Sequence, residues 1–148
     1  MKFLGTGSAL PKKVVSNDDL AQVMDTSDEW IRSRTGIGMR HIAVEETTTS
    51  MAVEAAEKAL ADAKISGCEI DLIIAGTISP DYIFPSLACE VQAAIGAKSA
   101  TAFDLSAGCS GFLFALANSK VCSKQLEILS AALNALPGRS RDRVTPKS

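Results

Sequence analysis

An α/β fold, with a mostly parallel sheet flanked by helices, is predicted by three features of this 148-residue chain. Segments with strand and helix patterns alternate, joined by short connections, as in a parallel sheet with crossover helices. Two runs, "IDLIIAGTIS" (70–79) and "SATAFDLSA" (99–107), are continuously apolar between polar borders and suit strands covered on both faces. The segment "TTSMAVEAAEKALADAKIS" (48–66) repeats apolar residues at helical spacing.

Taken in order, "KFLGTGSALP" reads as a first strand closed by Pro11. "SNDDLAQVM" reads as a helix capped by Ser16 or Asn17, with Asp18 and Asp19 at its positive end. Thr26 and Glu29 have capping-box spacing, so a short helix is expected from Thr26 to about Gly36, with "GMRHIAV" extended after it. In the 48–66 helix, Met51, Ala55, Ala59 and Ala63 share a face, flanked by Ala52, Ala56 and Leu60. Glu54, Glu57, Lys58 and Asp62 point toward water, and Gly67 is the expected stop. "SPDYIFPS" is a loop, "LACEVQAAIG" a helix ended by Gly96, and "CSGFLFALA" the start of another helix. From Lys120 onward the character changes. An amphipathic helix carrying Leu126, Leu129, Leu133 and Leu136 is expected, broken by Pro137 and Gly138 and followed by a basic, solvated tail; no further strand is expected.

Composition excludes several classes. Hydrophobic residues make up 47% and aromatics 5%, so the core is aliphatic and alanine-rich. A net charge of −2 gives no basic face for nucleic acid. No apolar run approaches the ~20 residues that cross a bilayer, and the first residues lack a signal-peptide pattern, so a cytoplasmic location is expected. Cys68, Cys89, Cys109 and Cys122 contain no CxxC pair, and His41 is the one histidine. No metal site or disulfide framework is expected.

Cys109 stands between a strand and a helix, among Ala107, Gly108, Ser110 and Gly111. A free thiol, with a pKa of ~8.5, attacks poorly until it ionises. A helix start favours thiolate and offers N–H groups to a developing oxyanion, while small neighbours admit a carbonyl. That pattern suits acyl transfer from a thioester through an acyl-cysteine. Cysteine is equally a common core residue, and spacing alone leaves both readings open. Cys68, Cys89 and Cys122 have structural contexts.

"GTGSALP", "DTSDEWIRSRTGIGMRHI", "FPSLACEVQAAIGA" and "FDLSAGCSGFLFALA" resemble, in this order, the first half of the β-ketoacyl-[acyl-carrier-protein] synthase III family of the thiolase-like superfamily. The resemblance spans about residues 1–119, a thiolase-like half-domain, and leaves 120–148 as a divergent segment, read as frameshifted or truncated. It implies that Cys109 accepts an acyl group from acyl-CoA, typically acetyl-CoA, and that the acyl-enzyme condenses with malonyl-acyl carrier protein. It further implies that Trp30 stacks on the CoA adenine, Arg34 meets a CoA phosphate and Thr26 touches the same nucleotide end. Phe84 would lie at the acyl pocket of the partner subunit in a homodimer. No resident cofactor is implied; the CoA thioester is the substrate. Each residue also has a structural alternative: Trp30 as a packing residue, Arg34 as a helix C-terminal cap, Phe84 as a loop anchor. His41 is expected to be structural, because the family's catalytic histidine and asparagine belong to the second half. Two other functions fit the same motifs: a related thiolase-fold acyltransferase with another acyl-CoA, and a non-catalytic fragment pairing with an intact subunit.

Overall fold

A computed structural model describes residues 2–122 and 127–132. In chain order its elements are β1 (Lys2–Ser8), β2 (Lys13–Ser16), α1 (Asn17–Ala21), α2 (Asp28–Thr35), β3 (Met39–Ile42), α3 (Thr48–Ala63), β4 (Leu72–Gly76), α4 (Leu87–Ala94), β5 (Thr101–Leu105), α5 (Gly111–Cys122) and β6 (Glu127–Ala132). They form two compact units, residues 2–10, 46–122 and 127–132 in one and residues 11–45 in the other.

The larger unit is built on α3. Thr47 and Ser50 cap it reciprocally, and Met51, Ala52, Ala55, Ala56, Ala59 and Leu60 are buried, as the apolar stripe predicts. The helix packs against β1, where Gly5 and Gly7 make the approach possible. A Cβ on Gly5 would lie 2.5 Å from the Ala59 carbonyl oxygen, and one on Gly7 would overlap the Ala55 carbonyl. Strand glycines and helix alanines thus bring backbone against backbone. Polar bonds lock the same contact. Asp62 accepts from the Thr6 N–H at 2.8 Å, and the Lys58 ammonium donates to the Ser8 carbonyl at 3.0 Å. Both residues are exposed, as the sequence predicts, and their side chains also bond the backbone of the strand from the solvent side.

α3 stops at Lys64, which takes the left-handed conformation at φ 59°, three residues before the expected Gly67. Gly67 serves another purpose: a Cβ there would overlap the Ile95 carbonyl, so its smallness seats the turn against α4. Ala52 and Ala56 pack with Leu87 and Val91 of α4, while Leu60, Ile70 and Ala97 form a neighbouring cluster.

β4 and β5 pair in parallel, from Leu72 opposite Thr101 to Gly76 opposite Leu105, as predicted. Their side chains are half-buried rather than covered on both faces, since α4 and α5 leave part of this two-stranded surface open. α5 runs on to Cys122, three residues past the end of the resembling stretch. Beyond it, Glu127–Ala132 is a strand parallel to β1, where a helix is expected from sequence. The leucine spacing there fits a helix, but β1 offers a row of backbone groups that a helix cannot satisfy. The tail expected over 133–148 lies outside the described residues.

In the smaller unit, β2 and β3 pair antiparallel, with Val14 opposite His41. β3 meets the extended reading of "GMRHIAV"; β2, four residues long, carries no alternation that would announce it. Ser16 is the cap of α1, in a capping box with Asp19. α2 begins one residue later than expected, with Ser27 rather than Thr26 as its cap, accepting from the Trp30 N–H at 3.1 Å. That register makes Asp28 the first helical residue, free to bond outside the helix. Gly36 closes α2 at φ 71°, where the sequence places the stop.

Alanine in place of Gly7 should destabilise the chain by about 1–3 kcal/mol through overpacking against α3. Strand propensity alone predicts the opposite sign. Urea unfolding distinguishes them, and an unchanged or raised midpoint would contradict the packing account.

Candidate active site

Because β4 and β5 are parallel, their carboxyl ends share one edge, the edge where α/β folds bind ligands. Cys109 and Phe84 both follow that edge, Cys109 after β5 and Phe84 in the connection after β4.

Cys109 sits in a tight 3₁₀ turn, Gly108–Ser110, directly before α5 rather than inside its first turn. Gly108 holds φ 52°, a left-handed conformation that costs other residues ~1–2 kcal/mol. The turn is seated by a glycine pair, since a Cβ on Gly76 would come within 3.2 Å of the Gly111 backbone. Helix α5 therefore starts directly over the last residue of β4. The Cys109 side chain is exposed among the described residues. Of the N–H groups expected to hold an oxyanion, Ser110 donates to the Ala107 carbonyl and Gly111 to the Gly108 carbonyl. Those two are engaged by the turn itself.

The Phe84 loop is anchored by residues that sequence reading passed over. Asp81 accepts from the backbone N–H groups of Thr48 and Thr49 at 3.1 and 2.7 Å, capping α3 from the loop. The Thr48 hydroxyl donates back to the Ser79 carbonyl at 3.1 Å. At the other end, Asp104 of β5 accepts from Leu87 and Ala88 at 2.9 and 2.8 Å, capping α4 together with Ser86. The signal for Asp104 is legible in retrospect: a carboxylate inside an apolar strand requires donors. Between these anchors Ile83 and Phe84 are 98% and 89% exposed, and the Phe84–Pro85 peptide is cis. Phe84 therefore anchors nothing within its unit. Phe112, Leu113 and Phe114 of α5 are exposed as well. Consecutive bulky apolar residues cover most of a helix circumference, a pattern of helices enclosed by protein.

Trp30, Arg34 and Thr26 lie in the smaller unit. Trp30 is 55% exposed on α2, a helix with no buried residue. Arg34, four residues on, places its guanidinium carbon 4.8 Å from the indole centroid. Arg34 therefore stacks on Trp30 while also standing in the basic last turn of α2, which Gly36 closes. Thr26 is half-buried just before the Ser27 cap. His41 donates through Nδ1 to the Pro11 carbonyl at 2.6 Å, tying β3 to the start of its unit. Among the described residues no group of three potential metal ligands occurs, and no helix is long and apolar enough to cross a membrane.

The α/β arrangement of these elements is that of the thiolase-like condensing enzymes. A solved 3-oxoacyl-[acyl-carrier-protein] synthase III from Aquifex aeolicus VF5 superposes with a TM-score of 0.77 at 54% identity, covering 80% of this chain and 38% of that one. The priming β-ketosynthase of the R1128 polyketide pathway superposes with a TM-score of 0.76 at 40% identity, covering 78% and 35%. The β-ketoacyl-[acyl-carrier-protein] synthase III of Xylella fastidiosa (strain Temecula1 / ATCC 700964) is 52% identical over 136 residues, which cover 88% of this chain and 42% of the relative. No protein-family model matches. The chain belongs, as an amino-terminal part, to the β-ketoacyl-[acyl-carrier-protein] synthase III family, and spans about two fifths of the length of that relative.

Two outcomes follow from this geometry. Iodoacetamide should label the exposed Cys68 and Cys109 faster than the half-buried Cys89, as read by peptide mass spectrometry; preferential labelling of Cys89 would contradict the turn geometry. Burial disfavours the Asp81 carboxylate, yet hydrogen bonds from Thr49, Thr48 and Thr47 outweigh it and hold the group below its ordinary value. A depressed folded pKa stabilises the fold above the unfolded value of ~3.9, and that contribution disappears as pH falls through the lower folded value. The stability gap between wild type and Asp81→Asn should therefore be wide at neutral pH and close in acid, measured by urea unfolding across pH.

Proposed function

We propose that this chain carries the acyl-accepting part of a β-ketoacyl-[acyl-carrier-protein] synthase III, with Cys109 as the nucleophile that takes an acyl group from acyl-CoA, typically acetyl-CoA. The observation that carries this reading is the exposed Cys109 on its turn at the sheet edge, in a chain 52% identical to the Xylella fastidiosa synthase III.

The Cys109 thiolate attacks the thioester carbonyl, the carbon–sulfur bond to CoA breaks, and CoA leaves as a thiol after taking up a proton. The acyl group is then an ester of the Cys109 sulfur. In the second stage a malonyl group on acyl carrier protein loses carbon dioxide. Its carbanion attacks the acyl-cysteine, forming the β-ketoacyl carrier-protein thioester and releasing Cys109. The residues here suit the first stage. His41 holds the Pro11 carbonyl through Nδ1 and is read as structural.

Trp30 supports the substrate assignment. With Arg34 over one face, the indole keeps 55% of its surface open, enough to stack on an adenine, and a guanidinium beside it suits a phosphate. Thr26 would touch the same nucleotide end. The exposed Phe84, Ile83 and α5 side chains fit a chain whose apolar surface is covered by further protein, with Phe84 at the acyl pocket of a partner subunit in a homodimer. The CoA thioester is substrate and no resident cofactor is invoked. The setting is cytoplasmic, without nucleic acid or membrane. The likeness to a priming ketosynthase of polyketide synthesis favours a second reading in which the primer differs while Cys109 keeps its role.

Incubation with acetyl-CoA should add one acetyl group to Cys109, mapped by peptide mass spectrometry and absent from Cys109→Ala. Subsequent malonyl-acyl carrier protein should yield no ketoacyl product from this chain alone. Equal acetylation of Cys68 would sink the nucleophile assignment, and robust ketoacyl product would sink the division between the two stages.

A further inference from the structure

α2 presents Trp30 and Arg34, yet it buries none of its residues. At eight residues it is also too short to hold its shape in isolation. Polar bonds hold both of its ends. Asn17, 1% exposed, is the buried polar side chain of the described residues. Its Nδ2 donates to Asp28 Oδ1 at 2.7 Å and to the Ile37 carbonyl at 2.8 Å, and its Oδ1 accepts from Arg40. Its backbone N–H reaches the Gly38 carbonyl at 3.2 Å. Both amide protons and the amide oxygen are thus used, as burial of an amide demands. Asp28 is the first residue of α2, and Ile37 and Gly38 follow its last turn. One side chain therefore grips the helix at both ends. Arg32 closes the network, donating through Nε to both Asp28 oxygens at 2.8 and 2.9 Å. Its guanidinium packs over Gly38, where a Cβ would collide with it.

We infer that Asn17 is the positioning residue for the Trp30–Arg34 platform, setting α2 so that the platform can receive the nucleotide of CoA; this rests on the substrate reading proposed above. Asn17 touches no substrate itself and acts through Asp28 and the turn after α2.

The test uses the full chain, and Trp30, its sole tryptophan, as the reporter. Asn17→Asp keeps the size and the acceptor for Arg40 but turns an oxygen toward the Asp28 carboxylate and the Ile37 carbonyl. Acrylamide quenching of Trp30 should change in the absence of ligand, and CoA affinity, titrated by Trp30 fluorescence, should fall about tenfold or more, the equivalent of losing one charge-assisted bond. Asn17→Asp combined with Asp28→Asn puts the donor back on position 28 and leaves an oxygen for Arg32. It should restore most of the affinity, which general structural damage would not allow. Where Asn17→Asp fails to fold, Arg32→Gln loosens the exposed arm of the same network and should weaken CoA binding about threefold. Unchanged quenching and affinity in Asn17→Asp, or a double variant no better than the single one, would overturn the inference. A wild type blind to CoA, with the quenching change and its rescue intact, would overturn the CoA reading and leave the positioning of α2 standing.

Discussion

The contact between Gly5 and Gly7 of β1 and the Ala55, Ala59 and Ala63 backbone of α3 is the constraint on which the larger unit depends. It brings a helix closer to a strand than side chains normally allow. That closeness lets Asp62 and Lys58 bond the strand backbone, so the contact is locked by direction as well as by packing. From α3 the order propagates outward. Its opposite edge packs on α4 through Ala52 and Ala56, and its amino terminus is capped by Asp81 from the Phe84 loop. Asp104 then fixes α4 to β5, whose carboxyl end leads to Cys109. The Cys109 turn is thus supported by small residues and two carboxylate caps rather than by a large apolar core.

The smaller unit solves a different problem by different means. Its key helix, α2, has nothing apolar buried beneath it, and a saturated network around Asn17 takes the place of a core. Asp28 is held below its ordinary carboxylate value, first by the Asn17 bond and then by Arg32, which keeps it in the ionised form that the network needs. Polar positioning of this kind specifies orientation, because each hydrogen bond has a direction that apolar contact lacks. The stacked indole and guanidinium, as the proposed nucleotide contact, require that kind of definition.

Much of this was legible in the sequence. The alanine stripe of α3, the parallel β4–β5 pair, the Gly36 and Gly96 stops and the cysteine at a strand–helix junction all follow from local patterns. What local patterns did not reveal were bonds between distant segments. Asp81, Asp104 and Asn17 look like ordinary polar residues until the fold brings orphan N–H groups or a partner carboxylate beside them. Glu127–Ala132 illustrates the same limit, since its leucine spacing favours a helix and pairing with β1 decides otherwise. Thr26 and Ser27 are equally good caps by type, and the bonds open to Asp28 favour the register set by Ser27.

The central proposal is that this chain takes a CoA thioester, with Cys109 as acyl acceptor and the Trp30 indole as a contact for the nucleotide. The most direct measurement compares acetylation rates of Cys109 from acetyl-CoA and from a short acetyl thioester lacking the nucleotide, in wild type and in Trp30→Ala. Wild type should favour acetyl-CoA, and Trp30→Ala should lose that preference while reacting with the short thioester as before. Equal rates from both donors in wild type, or a preference that survives removal of the indole, would contradict the account.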